Sequence, residues 1–122
     1  MRLFKNAWFE RFARREKITD KVLKNAISRA EQGMIDADLG GYVIKQRIAR
    51  QGQGKSGGYG IIIVFKKGEN NFFVYGFAKS ERGNIDKAER ETFKNLAKEL
   101  LTLSDMQIKR LIEERGLIEI QL

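Results

Sequence analysis

Between Asp38 and Glu69 the chain carries no acidic residue, yet this interval holds Lys45, Arg47, Arg50, Lys55, Lys66 and Lys67. Each of these side chains offers N–H donors and a positive charge to a phosphate oxygen. A run of them without carboxylates is the pattern of a polyanion-binding surface. A solvated basic face has the same composition, and charge alone does not choose between the two. Inside the interval lies a glycine-rich stretch, residues 51–58, with Gly52, Gly54, Gly57 and Gly58 around Lys55 and Ser56. Glycines let backbone amides approach a phosphate, and Lys55 adds a charge, so a basic loop closing over a nucleic-acid backbone is one reading and a plain hairpin connection the other. A nucleoside-triphosphate loop fits poorly. Such a loop runs from a strand into a helix whose N-terminus holds the phosphate, whereas strand-like residues follow here. The chain has no His and no Cys. That removes the usual general acid/base, thiolate nucleophiles, disulfides and the commonest metal ligands, and with them serine-histidine and cysteine-histidine hydrolases.

The 122 residues carry a formal charge of +8. Almost all of the excess, +7, sits in residues 1–60. The length and a 42% apolar content fit one compact domain, residues 1–122, with an ordinary hydrophobic core. No apolar run reaches the roughly 20 residues that span a bilayer, and the start of the chain lacks the apolar segment of a signal peptide. A cytoplasmic protein without membrane contact is therefore expected.

The elements that must position these cations follow from periodicity. Residues 2–5 suit a short strand. Asn6 then precedes Trp8, Phe9, Phe12 and Ala13 at helical spacing, with the helix ending near Lys17. Thr19 or Asp20 caps a second helix in which Val22, Leu23, Ala26, Ile27 and Ala30 repeat before Gly33. These two helices form an amphipathic hairpin. After Gly40 and Gly41 the period falls to two, predicting a strand whose Lys45 and Arg47 share a face. Residues 61–65 read as a strand buried on both faces, and residues 72–77 as its returning partner. Helical spacing resumes from Asp86 through Phe93 and Ala97 to Leu101, and Ser104 with Gln107 has the spacing of a capping box before a last helix. Residues 117–122 read equally as strand or tail. The predicted class is α+β: an N-terminal helical hairpin packed on a small antiparallel sheet, with C-terminal helices.

Two stretches carry more than periodicity. One is Lys55-Ser56-Gly57-Gly58-Tyr59 before an apolar strand, and the other is residues 75–85, with Gly76, Phe77, Ala78, Lys79, Ser80, Glu81, Arg82, Gly83 and Asn84, at the end of the next strand. Together they resemble toxins of the RelE/ParE superfamily of bacterial toxin-antitoxin systems, most nearly the RelE/HigB-like messenger-RNA interferases. The likeness extends over nearly the whole chain in element order and is strongest from residue 40 to residue 101.

The resemblance implies a RelE-like fold and a ribosome-dependent endoribonuclease in which the RNA 2′-hydroxyl attacks the adjacent phosphodiester without metal or other cofactor. It implies as partners a cognate antitoxin, expected to be a helix-turn-helix protein, together with the ribosome and messenger RNA. By the same resemblance Lys45, Arg47, Arg50, Lys55 and Tyr59 hold RNA, and Lys79, Arg82 and Lys55 are the catalytic cations, Lys79 foremost. Tyr59 is expected to stack on a base rather than enter the core, Tyr75 to serve packing, and Glu81 to pair with Arg82. One departure bears on activity. Where many of these toxins have arginine after the glycine-glycine-tyrosine run, this chain has Gly60, and Asp86 stands near the position where some relatives have tyrosine. The expectation is a toxin attenuated at Gly60. A ParE-like gyrase inhibitor and a non-catalytic RNA-binding or repressor-partner module stay open.

Overall fold

The computed structural model describes residues 1–50 and 54–122, with residues 54–56 described through their backbone alone. The chain begins with strand β1 (Leu3–Asn6), followed by helices α1 (Ala7–Glu16) and α2 (Asp20–Glu31). Strands β2 (Ala37–Gly40), β3 (Val43–Arg50), β4 (Gly54–Val64) and β5 (Asn71–Ala78) come next, then α3 (Lys87–Leu101), α4 (Asp105–Glu113) and β6 (Leu117–Ile120).

Local chemistry sets most helix starts. The Asn6 side chain accepts from Phe9 N, Thr19 from Val22 N, Asp86 from Glu89 N and Ser104 from Gln107 N; the last two close reciprocal capping boxes. Lys17 ends α1 in the left-handed region at φ 59°.

The six strands form one mixed sheet in the order β2-β3-β4-β5-β1-β6. This corrects the expected small antiparallel sheet: β1 runs parallel to β5, and β6 closes the far edge antiparallel to β1. The helical pair is accordingly not N-terminal, because a strand precedes it. A further strand, β2, joins β3 through a turn in which Gly40, Gly41 and Tyr42 all have positive φ. The glycine-rich stretch expected as a loop is strand from Gly54 onward, paired with β3 through Arg50 and Gly54.

The sheet is covered on both faces. Phe9, Phe12 and Ala13 of α1 and Leu23, Ala26, Ile27 and Ala30 of α2 pack with Ile44, Ile48, Ile61, Ile63 and Phe73. Phe93 and Ala97 of α3 and Ile108 of α4 pack with Val43, Ile62, Val64, Phe72 and Phe77 on the other side. β4 therefore sends alternate residues into two cores, as expected for a continuous apolar run. The same alternation turns Lys45 and Arg47 of β3 toward the α3 side, with Val43.

Gln46, wholly buried on the α1/α2 side, ties β3 to the chain before it: its amide donates to Ala26 O and Met34 O, both at 3.1 Å, and its carbonyl accepts from Asp36 N at 2.8 Å. The Asp36 carboxylate accepts from Arg47 N at 2.7 Å, and the Arg29 guanidinium donates to Arg47 O at 2.8 Å. The basic strand is thereby held along an edge that the short β2 does not reach.

Candidate nucleic-acid interface

The register across β3, β4 and β5 assembles the site. Arg47 lies opposite Gly60, which lies opposite Phe77; one row away Lys45 lies opposite Ile62, which lies opposite Tyr75. Lys79 N donates to Gly58 O at 2.9 Å and so continues the pairing past the end of β5. Lys45, Arg47 and Lys79 therefore surround the Gly60–Phe77 pair on the α3 side of the sheet.

Lys45 is 7% exposed, and its ammonium donates to Asn84 Oδ1 at 3.1 Å. Burial, followed by the positive charges of Lys79 and Arg47, lowers its pKa below the ordinary lysine range; the Asp36 carboxylate pulls the other way, and Arg90 adds the smallest of these effects. Arg47 is exposed and Lys79 half-buried. None of Lys45, Arg47, Lys79 and Arg90 is in a salt bridge among the described residues. Cations gathered at one place without salt-bridged carboxylates repel one another, so an anion laid across them relieves a cost already present in the fold.

Arg82 is built differently. Its guanidinium is clamped by the Glu89 carboxylate, donates from Nε and Nη2 to Asn84 O at 3.1 and 2.9 Å, and from Nη1 to Tyr75 Oη at 3.3 Å. Its partner is Glu89, not Glu81 as expected, because Glu89 in the first turn of α3 faces back over the loop while Glu81 is exposed. With these donors engaged, Arg82 fixes residues 82–86, and it is that loop which brings Asn84 to Lys45. Asp86, near the position of the absent tyrosine, is the N-cap of α3.

Gly60 is roofed by an aromatic ring. A Cβ there would meet Phe77 Cζ at 2.4 Å and its Cε atoms at 2.8 and 2.9 Å. Phe77 fills the space above the glycine and lies in turn beneath Arg82, whose Cζ is 5.6 Å from the ring centroid.

Two expected RNA contacts lie on the opposite face. Tyr59 is 3% exposed within the α1/α2 core, its ring edge-on to Phe12, and its hydroxyl donates to Glu16 Oε1 at 2.9 Å. The expectation that it stays out of the core is corrected: Tyr59 alternates with Gly60 and shares the face of Ile61 and Ile63. Arg50 sits over the Tyr59 ring at 5.8 Å, on that same face. Tyr75, expected to serve packing, stacks on Trp8 at 4.5 Å and lies against Phe93. The Lys55 side chain lies outside the described residues.

The sequence reading missed Arg90. Its signal was available, since Arg90 precedes Phe93 by three and Ala97 by seven and so stands on the buried stripe of α3. Among the described residues no group of His, Cys, Asp and Glu could hold a metal ion, and no helix is long and apolar enough to cross a membrane.

A family model described as the RelE toxin of the RelE / RelB toxin-antitoxin system matches residues 1–120. The chain belongs to this family of RelE toxins, and a toxin of such a system pairs with an antitoxin. A search of curated proteins returned no match.

Proposed function

We propose that this toxin is a metal-independent endoribonuclease of the bacterial cytoplasm that cuts messenger RNA on the ribosome, with Lys45, Arg47 and Lys79 as its reacting face. The observation that carries the reading is the convergence of these cations, without carboxylate partners, around a lysine whose charged form burial disfavours. An amine so placed gives up its proton more readily than a solvated lysine and can take one from the RNA 2′-hydroxyl. The 2′-oxygen then bonds to phosphorus as the bond to the 5′-oxygen breaks, leaving a 2′,3′-cyclic phosphate. In this reading Arg47 and Lys79 stabilise the charge that builds on the phosphorane, and the Lys79 ammonium returns a proton to the departing 5′-oxygen. Removing one such cation is expected to slow cleavage by ~10²- to 10³-fold.

The antitoxin in this reading is a helix-turn-helix protein. Arg82 is a positioning residue acting through Asn84, and Tyr59 contributes through the core. Gly60 lowers the rate, because the position that would present a guanidinium carries none and Phe77 occupies its space. The test is growth arrest on induction without antitoxin, with cleavage mapped on purified ribosomes carrying messenger RNA. Cleavage that disappears when the scissile nucleotide is 2′-deoxy supports the reading. Ribosome binding without any cleavage would instead favour a non-catalytic RNA-binding module.

A further inference from the structure

One guanidinium remains without an assigned task. Arg90 is half-buried in the first turns of α3, and its Nε is buried with no hydrogen-bond partner among the described residues. A buried N–H left unpaired costs roughly 1–3 kcal/mol, and no hydrogen bond or salt bridge among the described residues ties this guanidinium down. Its direction follows from the helix. Lys94, one turn further along α3, lies over the β2–β3 turn, with its aliphatic carbons 3.1–3.5 Å from where a Cβ on Gly40 or Gly41 would stand. Phe93 and Ala97 are buried in the core beneath α3. Stepping back one turn from Lys94 moves about 5.4 Å along α3, away from the β2–β3 turn and along β3 toward Lys45. The fall in the Lys45 pKa includes the charge of Arg90, consistent with that placement.

We propose that Arg90 is a phosphate ligand of the cationic face, a guanidinium presented to the RNA backbone from α3. This inference rests on the RNA-cleaving reading for its ligand, a phosphodiester of single-stranded RNA. Arginine suits the role because its planar guanidinium can donate two parallel N–H bonds to phosphate oxygens, here from the Nη groups, since protein covers the Nε. Lys45 feels the positive charges of Lys79, Arg47 and Arg90 against the Asp36 carboxylate, so the net field there is positive.

The experiment uses the full chain and a short single-stranded RNA whose 2′-positions are deoxy at the scissile site, so that binding is read without turnover. The affinity is measured across a salt series for the parent, Arg90→Gln, Arg90→Lys and, as a surface control, Lys109→Gln. Arg90→Gln is expected to weaken binding by about 10-fold or more at low salt and to flatten the slope of log K against log salt by about 0.7, the share of one phosphate contact on a single strand. Arg90→Lys should keep most of the slope, because the charge remains, and recover only part of the affinity, because an ammonium lacks the paired donors. Because Arg90→Gln could disturb α3, the Nε–H resonance of Arg90 is followed in the unmutated protein as RNA is added, where it should shift. Parent-like slope and affinity in a folded Arg90→Gln, or an unmoved resonance at saturating RNA, overturns the inference. Loss of binding in Arg90→Gln while no protein cleaves messenger RNA on ribosomes leaves Arg90 a phosphate ligand and sinks the endoribonuclease reading instead.

Discussion

Replacing Gly60 by alanine isolates the contact that separates this chain from an arginine-bearing site. The added Cβ would stand 2.4 Å from Phe77 Cζ. Carbon atoms in contact rest about 3.5–4.0 Å apart, so the ring must retreat by about 1 Å or more. Phe77 is 4% exposed, with Arg82 above it, and has little room to do so. Overpacking of this kind costs about 1–3 kcal/mol, against roughly 0.5–1 kcal/mol gained by removing a strand glycine. The net loss is at most about 2.5 kcal/mol and centres near 1 kcal/mol, and at about 3–5 °C per kcal/mol for a domain of this size the melting midpoint should fall by roughly 3–5 °C. Phe77→Leu removes the offending atoms, so Gly60→Ala with Phe77→Leu should be more stable than the two single effects predict, by about 1 kcal/mol. The assay is a double-mutant cycle by thermal and urea unfolding. The consequence for activity follows: Gly60→Arg alone should destabilise and gain little, whereas Gly60→Arg with Phe77→Leu should raise ribosome-dependent cleavage by on the order of 10²-fold. A higher melting midpoint in Gly60→Ala, with no coupling to Phe77, would refute the reasoning.

Tyr59→Phe should cost about 1–2 kcal/mol in urea unfolding, by removing the hydrogen bond to Glu16, and should leave the salt slope of RNA binding unchanged; a loss of RNA affinity at constant stability would return Tyr59 to the interface. Glu16, Glu89 and Glu119 have carboxyl pKa values below the ordinary range, held there first by the Tyr59 hydroxyl, the Arg82 guanidinium and the Arg2 guanidinium, respectively. Their folded pKa values lie below the unfolded ones, so the stability they contribute is present above about pH 4.5 and is lost as pH falls through the folded values. The urea midpoint should drop over that window, and Glu89→Gln should shrink the drop; an unchanged pH profile contradicts the pairing. Lys5, buried between Glu10 at 2.9 Å and Asp20 at 3.0 Å, joins β1 to the starts of α1 and α2. Lys5→Met should lower stability by roughly 1–2 kcal/mol, because Glu10 and the half-exposed Asp20 lose their shared cation but keep access to water, and a neutral result by calorimetry would show the triad to be dispensable.

What was legible in the chain was local. Asn6, Thr19, Asp86 and Ser104 announce helix starts because a cap is made within three residues of itself. The two-sided burial of residues 61–64 was equally open to reading from an unbroken apolar run. The parallel pairing of β1 with β5 was not, because partners some 68 residues apart leave no mark in either segment, and β2 is too short for its alternation to stand out. At the site, Lys45 and Arg47 were visible as neighbours on one face, but which residues of β4 share that face depends on the register that sets Arg47 against Gly60. Without the register Tyr59 passes for a surface residue; with it, Tyr59 belongs to the opposite core and Phe77 becomes the roof of Gly60. The place of Arg90 on the α3 stripe was legible, but its use was not. A charge on an apolar helical stripe gains meaning only once the strand beneath that stripe is known to carry Lys45.

The central claim is that the face formed by Lys45, Arg47 and Lys79 cleaves messenger RNA through the 2′-oxygen. End-group analysis of messenger RNA recovered from programmed ribosomes, incubated with the parent protein and with Lys45→Gln, tests it most directly. The account predicts fragments ending in 2′,3′-cyclic phosphate with matching 5′-hydroxyl ends for the parent, absent without ribosomes, and at least about 10²-fold fewer of them for a folded Lys45→Gln. Intact messenger RNA with the parent and with Gly60→Arg plus Phe77→Leu alike, or equal cleavage by the parent and Lys45→Gln, would contradict it.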